Sequence, residues 1–277
     1  MYKAEVILDE DKTIFDKPPK FQTAKYIEHA PEFYDRVADA VEGVLSGGNT
    51  PLVVTGSHFA GGGSLAGVKS FYSDKRMGVI WIDAHADINS PLTSYSGNMH
   101  GMPVTTGLGM IHSKHMIPQA KGESKEVKKP WFELCDTKGI MPKMTPRDLV
   151  FIGIRDLDEK ELVILAESNI KGYRPEEMRK MGIRKMLEEI KEYLKECDVI
   201  YVSFDVDAMD PRTVSTATGT PVKGGIHLEE MDTILTGLFD GVLPVCALEI
   251  SEINPTLEKP GKNTMAEATA SLISKLL

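Results

Sequence analysis

Asp83, His85 and Asp87 occupy alternate positions at the end of Val79-Ile80-Trp81-Ile82-Asp83-Ala84-His85-Ala86-Asp87. A second alternating pair, Asp205 and Asp207, closes Val199-Ile200-Tyr201-Val202-Ser203-Phe204-Asp205-Val206-Asp207. Both runs start as β-branched or aromatic residues and then turn acidic. A buried strand that ends in several ionisable groups needs something positive to neutralise them. Four carboxylates and one imidazole gathered on one rim would make a divalent-cation site. In an extended chain Asp83, His85 and Asp87 fall on one side, about 6–7 Å apart per two residues, and the turn that leaves the strand can fold them round an ion. Oxygen-rich ligation with a minority of imidazole suits Mn²⁺, or a similar hard-to-borderline ion, better than a thiolate-bound zinc. With His58 added, the donors exceed what one ion needs, so two ions sharing carboxylates is the economical reading. Two such ions, about 3.5–4 Å apart, can deprotonate a shared water and supply hydroxide at neutral pH.

Elements of a particular kind must carry these groups. Five apolar runs read as buried parallel strands: Leu52–Thr55, Val79–Ile82, Leu149–Ile154, Val199–Phe204 and Val245–Ile250. Helical patterns lie between or after them, at Pro31–Leu45, Arg184–Glu196, Leu228–Leu238 and Thr264–Leu277. In Arg184–Glu196 the apolar residues Met186, Leu187, Ile190 and Leu194 make one face and charges fill the other. Alternation of this kind implies right-handed crossovers and a three-layer α-β-α domain with a mainly parallel central sheet. Each strand is followed by a polar cluster: His58, then Asp83 to Asp87, then Arg155 to Asp158, then Asp205 and Asp207, then Glu249 to Glu252. Ligands of open α/β sheets bind outside the carboxyl ends of the strands, and five strand ends agree on that rim. The stretch from Ile111 to Arg147 breaks the pattern with lysines at 114, 121, 125, 128 and 129 among others and with four prolines, and reads as a solvated insertion or lid.

Composition narrows the function. The 277 residues, with no Gly/Ser/Pro linker, favour one α/β domain spanning residues 1–277. A formal charge of −9 argues against a nucleic-acid partner and agrees with a cationic substrate. Cys135, Cys197 and Cys246 are widely spaced and form no CxxC pair, which fits a reducing cytoplasm. No apolar run approaches a membrane span, and Met-Tyr-Lys-Ala-Glu-Val lacks a signal-peptide pattern. Gly61–Gly63 form no GxxxxGK[ST] or Rossmann spacing, so a phosphate cradle is not expected.

From about Pro51 onward the chain resembles the ureohydrolases and, within them, the arginases. The resemblance rests on Asp83-Ala84-His85-Ala86-Asp87-Ile88-Asn89-Ser90-Pro91, Ser96-Gly97-Asn98-Met99-His100-Gly101-Met102-Pro103 and Gly153-Ile154-Arg155-Asp156-Leu157-Asp158. It continues through Ser203-Phe204-Asp205-Val206-Asp207-Ala208-Met209-Asp210-Pro211, Thr218-Gly219-Thr220-Pro221 and Glu252-Ile253-Asn254-Pro255, in that order. It implies two manganese ions bridged by Asp83 and Asp205, with His58 and Asp87 completing one site and His85 and Asp207 the other. It also implies hydroxide attack on a guanidinium carbon, giving urea and an amine. Glu252 would pair with the guanidinium, His100 would shuttle protons, and Thr220 would touch the substrate. Asn89 and Ser96 would hold an α-carboxylate, Asp158 an α-amino group directly and Glu161 the same group through water. L-Arginine is therefore the expected substrate; agmatine, a guanidino acid or formiminoglutamate, or a metal-poor binder without turnover, are the alternatives. Family members are commonly trimers or hexamers, so a homo-oligomer is expected.

The chain departs from the family in two places. Where the family has Gly-Gly-Asp-His-Ser, this chain has Thr55-Gly56-Ser57-His58-Phe59 followed by a glycine-rich turn, so Ser57 replaces an aspartate. A carboxylate that orients a metal-bound histidine is worth about 10–100-fold in affinity. The substitution predicts a weak site at His58. The second departure is an N-terminal region of about fifty residues without the family's glycine-rich loop, where Met1–Leu8 is expected to supply an edge strand.

Overall fold

The computed structural model describes residues 12–259 and 261–276; the expected edge strand at Met1–Leu8 lies outside them. Among the described residues six strands form one sheet: β1 (Leu52–Val54), β2 (Met77–Ile82), β3 (Leu149–Ile152), β4 (Lys171–Tyr173), β5 (Val199–Asp205) and β6 (Val245–Ser251). Their order is β1-β6-β5-β2-β3-β4 and every pairing is parallel. Helices cover both faces, as parallel strands buried on both sides require.

Alternation along the strands sorts the core. Val79 and Trp81, Leu149 and Phe151, and Val199 and Tyr201 face one side. There they meet α1 (Ala30–Ser46), α2 (Ala60–Phe71) and α3 (Pro103–Leu108). Ile80, Ile82, Val150, Ile152, Ile200, Val202 and Phe204 face the other side. α4 (Lys128–Cys135) lies outside the first helical layer and α5 (Glu159–Ser168) follows β3. The second face is covered by α6 (Pro175–Met181), α7 (Ile183–Leu194), α8 (Leu228–Leu238) and α9 (Thr264–Ile273).

Several expectations need correction. β3 stops at Ile152 rather than Ile154, because Gly153 turns the chain with a φ of 96°. Among the described residues β1 ends the sheet, and Val54 is 61% exposed. The glycine-rich turn after His58 is α2. The stretch 111–147 is not a solvated insertion: Ile117, Ala120, Val127, Trp131, Leu134 and Cys135 are buried in a third apolar cluster with Phe21, Ile27, Tyr34 and Met102.

Candidate metal centre

The order β1-β6-β5-β2-β3 places all five polar strand ends side by side. At the end of β2, the Asp83 carboxylate accepts from the His85 backbone N–H at 2.7 Å. At the end of β5, Asp205 accepts from the Asp207 N–H at 2.7 Å. Each strand-terminal aspartate thus closes the turn that follows it and leaves its second oxygen facing outward. The two turns are tied together by Ala84 N–H donating to Asp207 at 3.2 Å. Asp87 is reached through a left-handed backbone at φ 49°, a conformation aspartate tolerates. The bend turns its side chain back towards His58.

Two groups of donors result. His58 Nδ1 lies 2.8 Å from Asp83 Oδ2, 3.1 Å from Asp87 Oδ2 and 3.1 Å from Asp205 Oδ2. His85 Nδ1 lies 3.1 Å from Asp207 Oδ2 and 3.4 Å from Asp83 Oδ1. Asp83 faces both groups, one oxygen to each. Asp205 joins the first group, and its other oxygen is engaged by the Asp207 N–H. The ligand atoms of His58, Asp83 and Asp87, and those of Asp83, His85 and Asp207, lie within 4.8 Å of one another.

The chemistry of these donors fits cations. His58 Nδ1 and Asp87 Oδ2 are buried and make no hydrogen bond of good geometry, although carboxylates crowd the imidazole. Lone pairs therefore converge where a proton does not satisfy them. Burial and the neighbouring Asp83 charge push the Asp87 carboxyl up to about 6, and burial with the Asp207 charge raises Asp205. Burial lowers His85, but its hydrogen bonds to Asp207 and Asp83 outweigh that and push it up to about 12. Carboxylates this close hold protons unless a stronger positive charge replaces them.

Three groups not foreseen from sequence support the ligands. Ser203 Oγ lies 2.7 Å from His58 Nε2. Trp81 stacks on the His58 ring, with centroids 4.1 Å apart, and its indole N–H donates to Asp83 Oδ2 at 3.1 Å. Asp156 Oδ2 is 3.7 Å from His85 Nε2. Ser57 is exposed and bonds only to its own turn, so Ser203 is the residue that orients His58. The signal was periodicity: Trp81 and Ser203 each precede a strand-end aspartate by two residues and so share its face.

The remaining predicted residues surround the cluster. Glu252 follows β6 with φ 64° and accepts from the His58 backbone N–H at 2.8 Å. Its Oε1 lies 3.4 Å from His100 Nδ1. Burial opposes the Glu252 charge, yet His100 and the His58 N–H hold its carboxyl below the usual range, and the same contact raises His100. Thr220 donates to Asp207 Oδ2 at 2.8 Å. Asn89 Nδ2 donates to Asp158 Oδ2 at 2.7 Å, and the buried Asn89 Oδ1 has no partner. Asp158 also caps α5, accepting from Lys160 and Glu161 N–H groups, while Glu161 accepts from the Asp158 N–H in return. Ser96 is exposed and bonds locally to Ser94 and Asn98, so no contact joins it to Asn89.

Fold and site together define a metal-dependent hydrolase of the parallel α/β class. The family model "Arginase family" matches residues 8–277. The arginase of Bacillus subtilis is 36% identical over 245 residues, covering 88% of this chain and 75% of that protein. The Bacillus caldovelox arginase structure matches with a TM-score of 0.79 at 32% identity, covering 99% of this chain and 81% of the other. An Entamoeba histolytica arginase in complex with L-ornithine matches with a TM-score of 0.76 at 28% identity, covering 94% and 81%. The chain belongs to the arginase family, ureohydrolases that cleave a C–N bond of a guanidino group.

Proposed function

We propose that this ureohydrolase converts L-arginine to L-ornithine and urea with two manganese ions. His58, Asp83, Asp87 and Asp205 would hold one ion; His85 and Asp207, sharing Asp83 and Asp205, would hold the other. When bound there, such a pair supplies Lewis acidity and hydroxide at neutral pH. Glu252, kept ionised, offers its carboxylate to the planar guanidinium, whose donors match it in a bidentate pair. His100 touches Glu252 and remains partly exposed, so its ring can pass a proton between solvent and the departing amine.

The observation that carries an amino-acid head group is the part-buried Asn89–Asp158 pair, whose Asn89 Oδ1 is buried and unpartnered. These acceptor oxygens suit the α-ammonium group of an amino acid; agmatine keeps that ammonium and lacks only the α-carboxylate, so the preference for arginine over agmatine is supported by the arginase relatives. Glu161, beside Asp158, adds a further polar group to that end of the site. The L-ornithine bound by the Entamoeba histolytica relative has such a head group. Three free, buried cysteines agree with a reducing cytoplasm, and assembly as a trimer or hexamer completes the proposal. Among the described residues no helix is long and apolar enough to cross a membrane.

The test is urea release from L-arginine and from agmatine, side by side, with and without excess Mn²⁺. Arginine turnover that rises with manganese, with agmatine far slower, is the expected result. Agmatine turned over faster than arginine would overturn the substrate assignment.

A further inference from the structure

The chain before α1 is built onto the loop that carries His100. Phe21, Ala24 and Ile27 are buried in one apolar cluster with Met99 and Met102, the residues that flank His100 and Gly101. Ile117, Ala120 and Trp131 join that cluster from the 111–147 stretch. The backbones meet as closely as the side chains. Gly97 has a φ of 68°, and a Cβ there would stand 1.9 Å from the Gln22 carbonyl oxygen. Only glycine admits both that conformation and that approach.

Hydrogen bonds fix the same contact. The Glu123 carboxylate accepts from the Gln22 N–H at 2.9 Å, the Thr23 N–H at 3.1 Å and the Thr23 hydroxyl at 3.0 Å. Two residues on, the Lys25 N–H donates to the Gly97 carbonyl at 2.9 Å, and its ammonium donates to Asn98 Oδ1 at 3.1 Å. Asn98 precedes the 3-10 turn Met99–Gly101, and its carbonyl accepts from the Gly101 N–H at 3.3 Å. His100 is the middle residue of that turn, and its Nδ1 is the atom 3.4 Å from Glu252. Lys25 is thus the side chain through which the N-terminal segment grips the loop, and Glu123 holds the segment in place.

We infer that Lys25, anchored by Glu123, is a positioning residue that fixes the turn carrying His100 beside Glu252. The inference rests on the reading of His100 as the group that passes a proton to the departing amine. It gives the atypical N-terminal region a part in turnover, although no residue of it touches the metal ligands. A reacting group misplaced by about 1 Å can lose about 100-fold in rate. Removing the ammonium alone displaces the turn less than that, because the buried contacts of Met99 and Met102 remain.

The experiment compares the full-length wild type with Lys25→Met and Lys25→Arg in two measurements. Amide hydrogen exchange on the metal-free protein follows residues 97–102. Steady-state urea release from L-arginine with saturating Mn²⁺ separates kcat from KM. Lys25→Met keeps the apolar stem and removes the ammonium, whereas Lys25→Arg keeps a cationic donor. Lys25→Met is expected to speed exchange at the Gly101 and Met102 N–H groups about fivefold, the worth of one hydrogen bond. Its kcat should fall about three- to tenfold while KM moves by less than about twofold, and Lys25→Arg should restore both exchange and kcat. Wild-type exchange or wild-type kcat in Lys25→Met, or a loss that Lys25→Arg does not restore, would overturn the inference. A raised KM at unchanged kcat would overturn it too, because the segment would then act on substrate binding rather than on the turn. A wild type silent on L-arginine, with exchange that still quickens in Lys25→Met, would overturn the arginine reading and leave the brace standing.

Discussion

Glu161 shows how one carboxyl can be read from its surroundings. Burial and the neighbouring Asp158 charge push it up to about 8, although the Asp158 backbone N–H pulls the other way. Its ordinary value of 4.5 applies in the unfolded chain, so between those values folding must take up a proton. The stability of the metal-free protein therefore falls as pH rises from 4.5 to about 8 and loses nothing more on this account above that. Glu161→Gln has no proton to lose and can still cap α5. The variant's melting temperature minus that of the wild type should increase across this range; a pH-independent difference would contradict the assignment. Other residues varied in legibility. The ligands stood out because aspartate and histidine have no place in a buried strand. Ser203 and Trp81 did not, because each is an ordinary strand residue until its partner in space is known. Glu161 was reached through family resemblance, and its raised affinity for a proton is a property of packing that no motif displays.

At the scale of elements, α2 is where local propensity and tertiary packing disagree. Gly61–Gly63 argue for a turn, since each glycine costs about 1 kcal/mol in a helix interior relative to alanine. The helix forms because α1 packs too close for side chains. A Cβ on Gly62 would lie 2.1 Å from Tyr34 Oη, and one on Gly67 would lie 2.5 Å from the Ala38 carbonyl oxygen. Tyr34 and Phe59 then pack in the space, tilted by 34° with centroids 4.6 Å apart. Gly62→Ala should destabilise the protein by about 1–3 kcal/mol in denaturant titration, despite its better helix propensity. Stabilisation by Gly62→Ala would mean that the α1–α2 contact is looser than described. The long β2, β5 and β6 strands were legible as continuous apolar runs. β4, with only Lys171–Tyr173, was not, because so short a segment carries no period.

For the molecule as a whole, the sheet delivers five strand ends to one rim, and the third apolar cluster braces the loops that surround it. The stretch 111–147 looked solvated because its lysines and prolines dominate the composition. The apolar residues Val127, Trp131, Leu134 and Cys135 nevertheless lie at helical spacing and are buried. Trp131 also donates its indole N–H to the Met110 carbonyl at 2.7 Å. Trp131→Ala should cost about 3–5 kcal/mol of unfolding free energy, as for other buried aromatics; a surface-like loss below about 0.5 kcal/mol would restore the solvated reading. The central claim is that the acidic rim holds two ions and that arginine is cleaved beside them. Its most direct test is urea release from L-arginine as Mn²⁺ is titrated into metal-free protein, with bound metal measured on the same samples. Activity is expected to rise with occupancy and level off at two ions per chain. Two tightly bound ions with no urea released would contradict the account.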